Sequence, residues 1–324
     1  MVFAASPVQA EPQPTLQQAK EQVDALHEEA EAATESYNGA ADANRRAQEQ
    51  VAVLQQRLAD KQAALARQRE MLGGIASAEY RGGGVDPSLR LLMTDDPRGF
   101  LNRISLDRQL SARQQEALGL VQRQRRELDQ ERREVAERMA ELDRTQREMT
   151  ARKQTVEAKL RQAQDVVNRL SGADRERLRR EEQAERDGKA REAAAAKRQY
   201  ETTSPATSDR AAAAVRAAYA QLGKPYRWAA TGPDSFDCSG LTQFVWRTAN
   251  VSLPRTSQEQ VRVGRPVAKS ELQPGDLVFF YSDLHHVGIY IGGGKMIHAP
   301  KPGANVEILS IDVRGMPYMT AIRP

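Results

Sequence analysis

Residues 237–246 read Asp237-Cys238-Ser239-Gly240-Leu241-Thr242-Gln243-Phe244-Val245-Trp246, a short polar start followed by apolar residues at helical spacing. Cys238 therefore falls in the first turn of a helix. There, unpaired backbone N–H groups and the positive end of the helix dipole favour thiolate over thiol. It is the chain's only cysteine, so no internal disulfide can form, and an oxidising compartment would only expose the thiol to damage. Position and solitude together make Cys238 a candidate nucleophile.

Downstream, Gln273-Pro-Gly-Asp276 is a turn that feeds Leu277-Val-Phe-Phe-Tyr281, a strand by composition. His286-Val-Gly-Ile-Tyr-Ile291 is another, separated from Lys295-Met-Ile-His298-Ala by Gly292-Gly293-Gly294. A tight hairpin brings the outer ends of its strands together, so His286, which begins one, and His298, which ends the other, can be neighbours. Three of the chain's 4 histidines lie within 14 positions of one another, in the same region as the only cysteine. Cys–His catalysis needs a base in reach of the sulfur and a third group to orient the imidazole, and these residues could supply both.

Upstream, Asp209 to Gly223 has an Asp start, an alanine-rich body and a Gly stop, the pattern of a capped helix. Residues 201–208, which include Thr202-Thr-Ser-Pro205-Ala-Thr-Ser208, read as a linker in which proline and hydroxyl residues interrupt a helix. A compact domain is expected over residues 209–324. Both tryptophans and most of the phenylalanines fall there.

Residues 13–200 belong to a different physical regime. Val23, Ala30, Tyr37, Asn44, Val51, Leu58, Leu65 and Leu72 recur every seven residues, with Leu26, Ala33, Ala40, Ala47 and Leu54 three positions later. Such a seam supercoils two helices. A second series, Val121, Leu128, Val135, Leu142, Met149 and Val156, keeps the period but has mostly polar companions apart from Met139 and Leu160. The pattern predicts an all-α antiparallel coiled-coil hairpin, one arm partly bare. Gly73-Gly74 is expected to end the first arm. Residues 73–107, rich in Gly and Pro around Leu89, Leu91, Leu92, Met93, Phe100 and Leu101, should form one or two short helices at the tip. Those helices either cap the coil or dock on a partner. After Leu170 the heptad fades, although composition still favours helix.

The chain has 324 residues, 5% aromatic and 28% charged, with 48 basic and 44 acidic residues interleaved at short range. That is a solvated helix surface; no basic block stands free of acids, which argues against nucleic acid as a partner. No run of 18 apolar residues spans a membrane. Residues 1–12 read either as the end of a secretory signal peptide, with Val8 and Ala10 at the −3 and −1 positions of a cleavage site, or as a disordered terminus.

Asp237-Cys-Ser-Gly240, Pro274-Gly-Asp-Leu-Val-Phe-Phe280, His286-Val-Gly-Ile-Tyr-Ile-Gly292 and Ile297-His298-Ala299 resemble the motif set of the NlpC/P60 family of cell-wall cysteine peptidases. The resemblance covers about residues 209–324 and implies a papain-like α+β domain. A coiled coil ahead of such a domain is similar to exported actinobacterial wall hydrolases. The resemblance implies Cys238 as nucleophile, His286 as base and His298 as the residue that orients it. Strand alternation sends His285 and His286 to opposite faces, so only one can face the sulfur. Tyr226, in Pro225-Tyr226-Arg227-Trp228, together with Asp237 and Ser239, matches substrate-site positions; Asp237 also suits a structural helix cap. Where the family has Trp-Gly-Gly, this chain has Trp228-Ala229-Ala230, and glycine allows a closer backbone approach than alanine.

What the resemblance implies is hydrolysis of peptidoglycan stem peptides, usually at the bond after γ-D-glutamate, by an enzyme secreted to the cell wall or a periplasm-like space. The expected partners are stem peptides and, through the coiled coil, a membrane-bound division complex. No cofactor is expected, and no Cys/His set with zinc spacing is present. The rod is expected to regulate the enzyme, by covering the cleft or by tethering it. Two alternatives stand beside this reading: an N-acetylmuramoyl-L-alanine amidase, and a coiled-coil adaptor of a division complex in which catalysis is secondary.

Overall fold

The structure, a computed structural model, describes residues 14–81, 97–203 and 209–324. It comprises six α-helices, α1 Leu16–Arg81, α2 Pro97–Asn168, α3 Gly172–Thr203, α4 Asp209–Gln221, α5 Cys238–Arg247 and α6 Ser257–Gln260, among the described residues. The strands are β1 Arg265–Val267, β2 Leu277–Phe280, β3 His286–Gly292, β4 Lys295–His298, β5 Glu307–Ser310 and β6 Tyr318–Arg323. No helix among the described residues is long and apolar enough to cross a membrane. The chain divides into two compact units.

One unit is Asn44–Thr145. In it α1 and α2 run antiparallel: Asn44 Nδ2 donates to Thr145 Oγ1 at 3.1 Å, and Lys61 Nζ meets Glu131 at 2.6 Å. Val51, Leu54 and Leu65 of α1 are buried with Leu128 and Val135 of α2, so the expected heptad positions form the seam.

Two expectations about the helices need correction. α1 does not stop at Gly73-Gly74 but continues to Arg81. A mid-helix glycine costs only about 1 kcal/mol, too little to end a helix 66 residues long. Residues 97–107 are not a separate tip helix but the start of α2, which opens on Pro97, a residue whose fixed φ and missing N–H suit the first helical position. The remainder of the expected tip, residues 82–96, lies outside the described residues, as does the segment 1–12.

The other unit joins Ala43 and the residues before it to Gln146–Pro324. α2 ends at Asn168, and α3 starts afresh behind a capping box, with Ser171 Oγ accepting from the Asp174 N–H at 3.1 Å and donating to its carboxylate at 2.7 Å. Ala19, Val166, Leu170 and Leu178 form a small core beneath this break.

The C-terminal part of this unit is an antiparallel sheet in the order β1-β6-β2-β3-β4-β5. Side chains alternate across it. Leu277, Phe279, Val287, Ile289 and Ile297 point to the face covered by α4 and α5, where they meet Val215, Ala218, Leu241 and Val245. Val278, Phe280, Tyr290 and Met296 fill the opposite face. Each such fully buried apolar side chain contributes roughly 1.5–3 kcal/mol. This is the α+β architecture expected from the sequence, and it sets the first turn of α5 beside the start of β3.

Candidate active site

Asp237, with extended backbone, is the N-cap of α5 and accepts from the Gly240 N–H at 2.7 Å. That bond fixes the first turn and so the direction of Cys238. Gly240 is required here: a Cβ would stand 2.2 Å from the Ala230 carbonyl oxygen. The Cys238 thiol is buried, with Sγ 3.6 Å from the His285 carbonyl oxygen.

His286 opens β3, and its Nε2 lies 2.8 Å from Nδ1 of His298 at the end of β4. Gly288 makes this pairing possible, because a Cβ there would stand 3.3 Å from the His298 Cβ and 2.6 Å from Met296 Sδ. His298 Nε2 points on to Glu307 Oε1 of β5 at 3.7 Å, and that oxygen also carries Lys189 Nζ of α3 at 2.9 Å. Burial holds the His298 pKa down. His285 turns elsewhere, onto Asp283 Oδ1 at 2.6 Å and the face of Tyr281.

Helix α1 lies against these groups. Glu31, Thr34, Glu35 and Asn38, at the i, i+3, i+4, i+7 spacing of one helix face, are all at most 5% exposed. Glu31 Oε1 contacts His286 Nδ1. The ligand atoms of Glu31, Cys238 and His286 all lie within 4.8 Å of one another. Glu35 Oε1 accepts from Ser239 Oγ at 2.6 Å and stands 3.9 Å from Cys238 Sγ, while its Oε2 accepts from the Ser257 N–H at 2.6 Å and hydroxyl at 2.8 Å. Asn38 Nδ2 donates to Asp237 Oδ2 at 3.1 Å, and Tyr37 meets Trp228 edge to face. Arg255 is the fixed cation among these acids, 2.5 Å from Asp237 Oδ2 and 2.8 Å from Ser239 Oγ.

Electrostatics follow from this crowding. Burial, reinforced by the Asp237 charge, raises the Glu35 pKa to about 7. Burial first, then Glu35, Glu31 and Asp237, push the Cys238 thiol well above its ordinary value. With α1 in place these surroundings favour the thiol, the opposite of what a helix N-terminus alone favours. The Tyr226 phenol, buried beside the same carboxylates, is raised for the same reasons.

The structure thus gathers all six residues singled out in the sequence, Cys238, His286, His298, Tyr226, Asp237 and Ser239, in one buried cluster. Asp237 is a helix cap and also the partner of Arg255 and Asn38. Ala229 adopts φ +59°, the left-handed conformation for which glycine is suited, and Ala230 accepts from the Asp237 N–H at 2.9 Å. Glu31, Glu35, Asn38, Arg255, Ser257 and Glu307 were not anticipated. Only the stripe from Glu31 to Asn38 carried a signal, and glutamates at helical spacing ordinarily mark a solvated face.

A thiol at a helix start beside a pair of strand-borne imidazoles, on an antiparallel sheet backed by two helices, defines the papain-like class of cysteine peptidases. Residues 223–322 match the NlpC/P60 family, and this domain belongs to it. The chain is 50% identical over 111 residues to a probable endopeptidase of Corynebacterium glutamicum, covering 34% of this chain and 52% of that protein. It is 46% identical over 106 residues to a probable endopeptidase of Mycobacterium tuberculosis, covering 33% and 28%. It is 44% identical over 99 residues to a gamma-D-glutamyl-L-lysine dipeptidyl-peptidase of Bacillus cereus, covering 29% and 30%. The chain spans about half the length, or less, of these relatives.

Proposed function

We propose that this protein is a secreted peptidoglycan stem-peptide endopeptidase that acts in the cell wall and is kept latent by its own first helix. The catalytic domain is residues 209–324, joined through residues 201–208 to the hairpin of residues 13–200. The reading rests chiefly on Cys238, at the first turn of α5, within 4.8 Å of a His286 imidazole whose far nitrogen is held by His298. In the open state His286 takes the thiol proton, the thiolate attacks the amide carbonyl, and backbone N–H groups at the start of α5 hold the oxyanion. His286 then protonates the leaving amine, and water hydrolyses the thioester. His298 keeps the ring oriented throughout. The similarity to the gamma-D-glutamyl-L-lysine dipeptidyl-peptidase of Bacillus cereus supports cleavage after γ-D-glutamate, and substrate binding falls to Tyr226, Asp237 and Ser239.

Latency is supported by where α1 sits. Glu31 engages the base, Glu35 engages Ser239 and Ser257, and both raise the thiol pKa. Docking of the hairpin on a membrane-bound division complex is the expected way to withdraw them.

The test uses the full chain, Glu31→Lys/Glu35→Lys, and the same double variant with Cys238→Ala, each incubated with purified peptidoglycan fragments and read by mass spectrometry. Expected are new stem-peptide products from the double variant, few from the wild type and none without the thiol. Release of whole stem peptides from the glycan would mark an amidase instead. An inert double variant with native circular dichroism would remove the peptidase reading.

A further inference from the structure

We infer that Glu31, Cys238 and His286 form a site for a divalent cation of the zinc type, which locks α1 onto the cleft. The inference needs only the closed geometry and stands apart from the peptidase reading.

Three elements contribute one donor each: a carboxylate oxygen from α1, a sulfur from the first turn of α5 and an imidazole nitrogen from the start of β3. Thiolate, imidazole and carboxylate are the donors zinc takes, with one position of its tetrahedron left for water. The three ligand atoms already lie within 4.8 Å of one another, and all three residues are buried. By ordinary zinc bond lengths, two donors on one ion stand about 3.5 Å apart. Closure therefore asks for side-chain adjustments of about an ångström.

The surroundings supply two further arguments. A metal-bound imidazole ordinarily donates its other N–H to a second group, which fixes its tautomer and orientation. His286 has that arrangement: Nε2 is on His298 Nδ1, His298 Nε2 points to Glu307, and Lys189 holds Glu307, leaving Nδ1 to face Glu31 and the sulfur. The second argument is charge. Glu31, Glu35 and Asp237 surround the thiol, and Arg255 is the cation fixed among them. A divalent ion would displace the thiol proton, as metal binding to a cysteine does, and the surrounding carboxylates would offset its charge. No sequence spacing announces such a site, because Glu31 stands 207 residues from Cys238 (238 − 31).

The test takes the full chain, stripped with a chelator, and titrates it with zinc by calorimetry and with cobalt(II) by absorption. Expected are one equivalent of metal and, with cobalt, a thiolate-to-metal charge-transfer band. Cys238→Ser should abolish the band. Glu31→Gln, a near-isosteric change on a helix surface, should weaken binding at least tenfold, and His298→Ala roughly ten- to hundredfold. Circular dichroism checks that each variant is folded. Binding no tighter than millimolar, or a cobalt complex without the band, overturns the site. Wild-type affinity in Glu31→Gln overturns the participation of α1 and with it the lock.

Discussion

Two stretches of α1 share one heptad register and do opposite things. Around Val51, Leu54 and Leu65 the helix buries apolar side chains against Leu128 and Val135, as its periodicity predicts. Between Glu31 and Asn38, the seam positions Ala33 and Tyr37 are only half-buried, and the four fully buried side chains are polar. An apolar seam gains from every atom removed from water. A carboxylate pressed into a cleft must first lose its hydration, and regains it only in part through Ser239, Ser257 and His286. The first kind of contact is suited to permanence, the second to release.

The strongest way to break this contrast is Arg255→Ala. It leaves Asp237 and Glu35 buried without their cation, and removal of one partner of a buried pair costs about 3–5 kcal/mol. Chemical denaturation of the full chain should show a loss of that order. A loss below about 1 kcal/mol would mean that the two acids share a proton instead and that Arg255 is not what permits α1 to close.

Next comes Glu31→Lys/Glu35→Lys, which should raise the rate of stem-peptide cleavage about a hundredfold, equivalent to about 2.7 kcal/mol. Alkylation of Cys238 by iodoacetamide should accelerate with it, because the carboxylates that hold the proton on the sulfur have gone. Unchanged alkylation with raised cleavage would place the block at substrate entry rather than at the thiol.

Leu65→Ala, on the apolar side of the comparison, should cost about 2–3 kcal/mol of helix-pair stability with no gain in cleavage. Activation by this change would show that the two stretches of α1 are not independent. The smallest effect is expected at Ala229→Gly, which relieves a left-handed alanine and should stabilise the protein by up to about 1 kcal/mol. A clear destabilisation would show that the Ala229 methyl group packs usefully.

Much of the C-terminal domain was legible from local pattern. The runs Leu277 to Phe280 and His286 to Ile291 announce strands, Gly292 to Gly294 a turn, and Asp237 before an apolar period a capped helix. Cys238, His286 and His298 could be singled out because cysteine and histidine are rare here and cluster. The long helices were legible too, but their ends were not. Gly73-Gly74 looks like a stop, and Ser171, which caps the start of α3, gives no clear signal because the surrounding composition is helical on both sides.

What the sequence by itself determined is therefore what nearest-neighbour periodicity can encode: the strands and helices, the apolar seam, and the thiol with its pair of imidazoles. What only the tertiary structure decided is which face of α1 meets the cleft. Glu31, Glu35 and Asn38 have the spacing and chemistry of a solvated helix surface. They become part of the site only when chain folding brings residues about 200 positions away against them, and no local rule carries information over that distance.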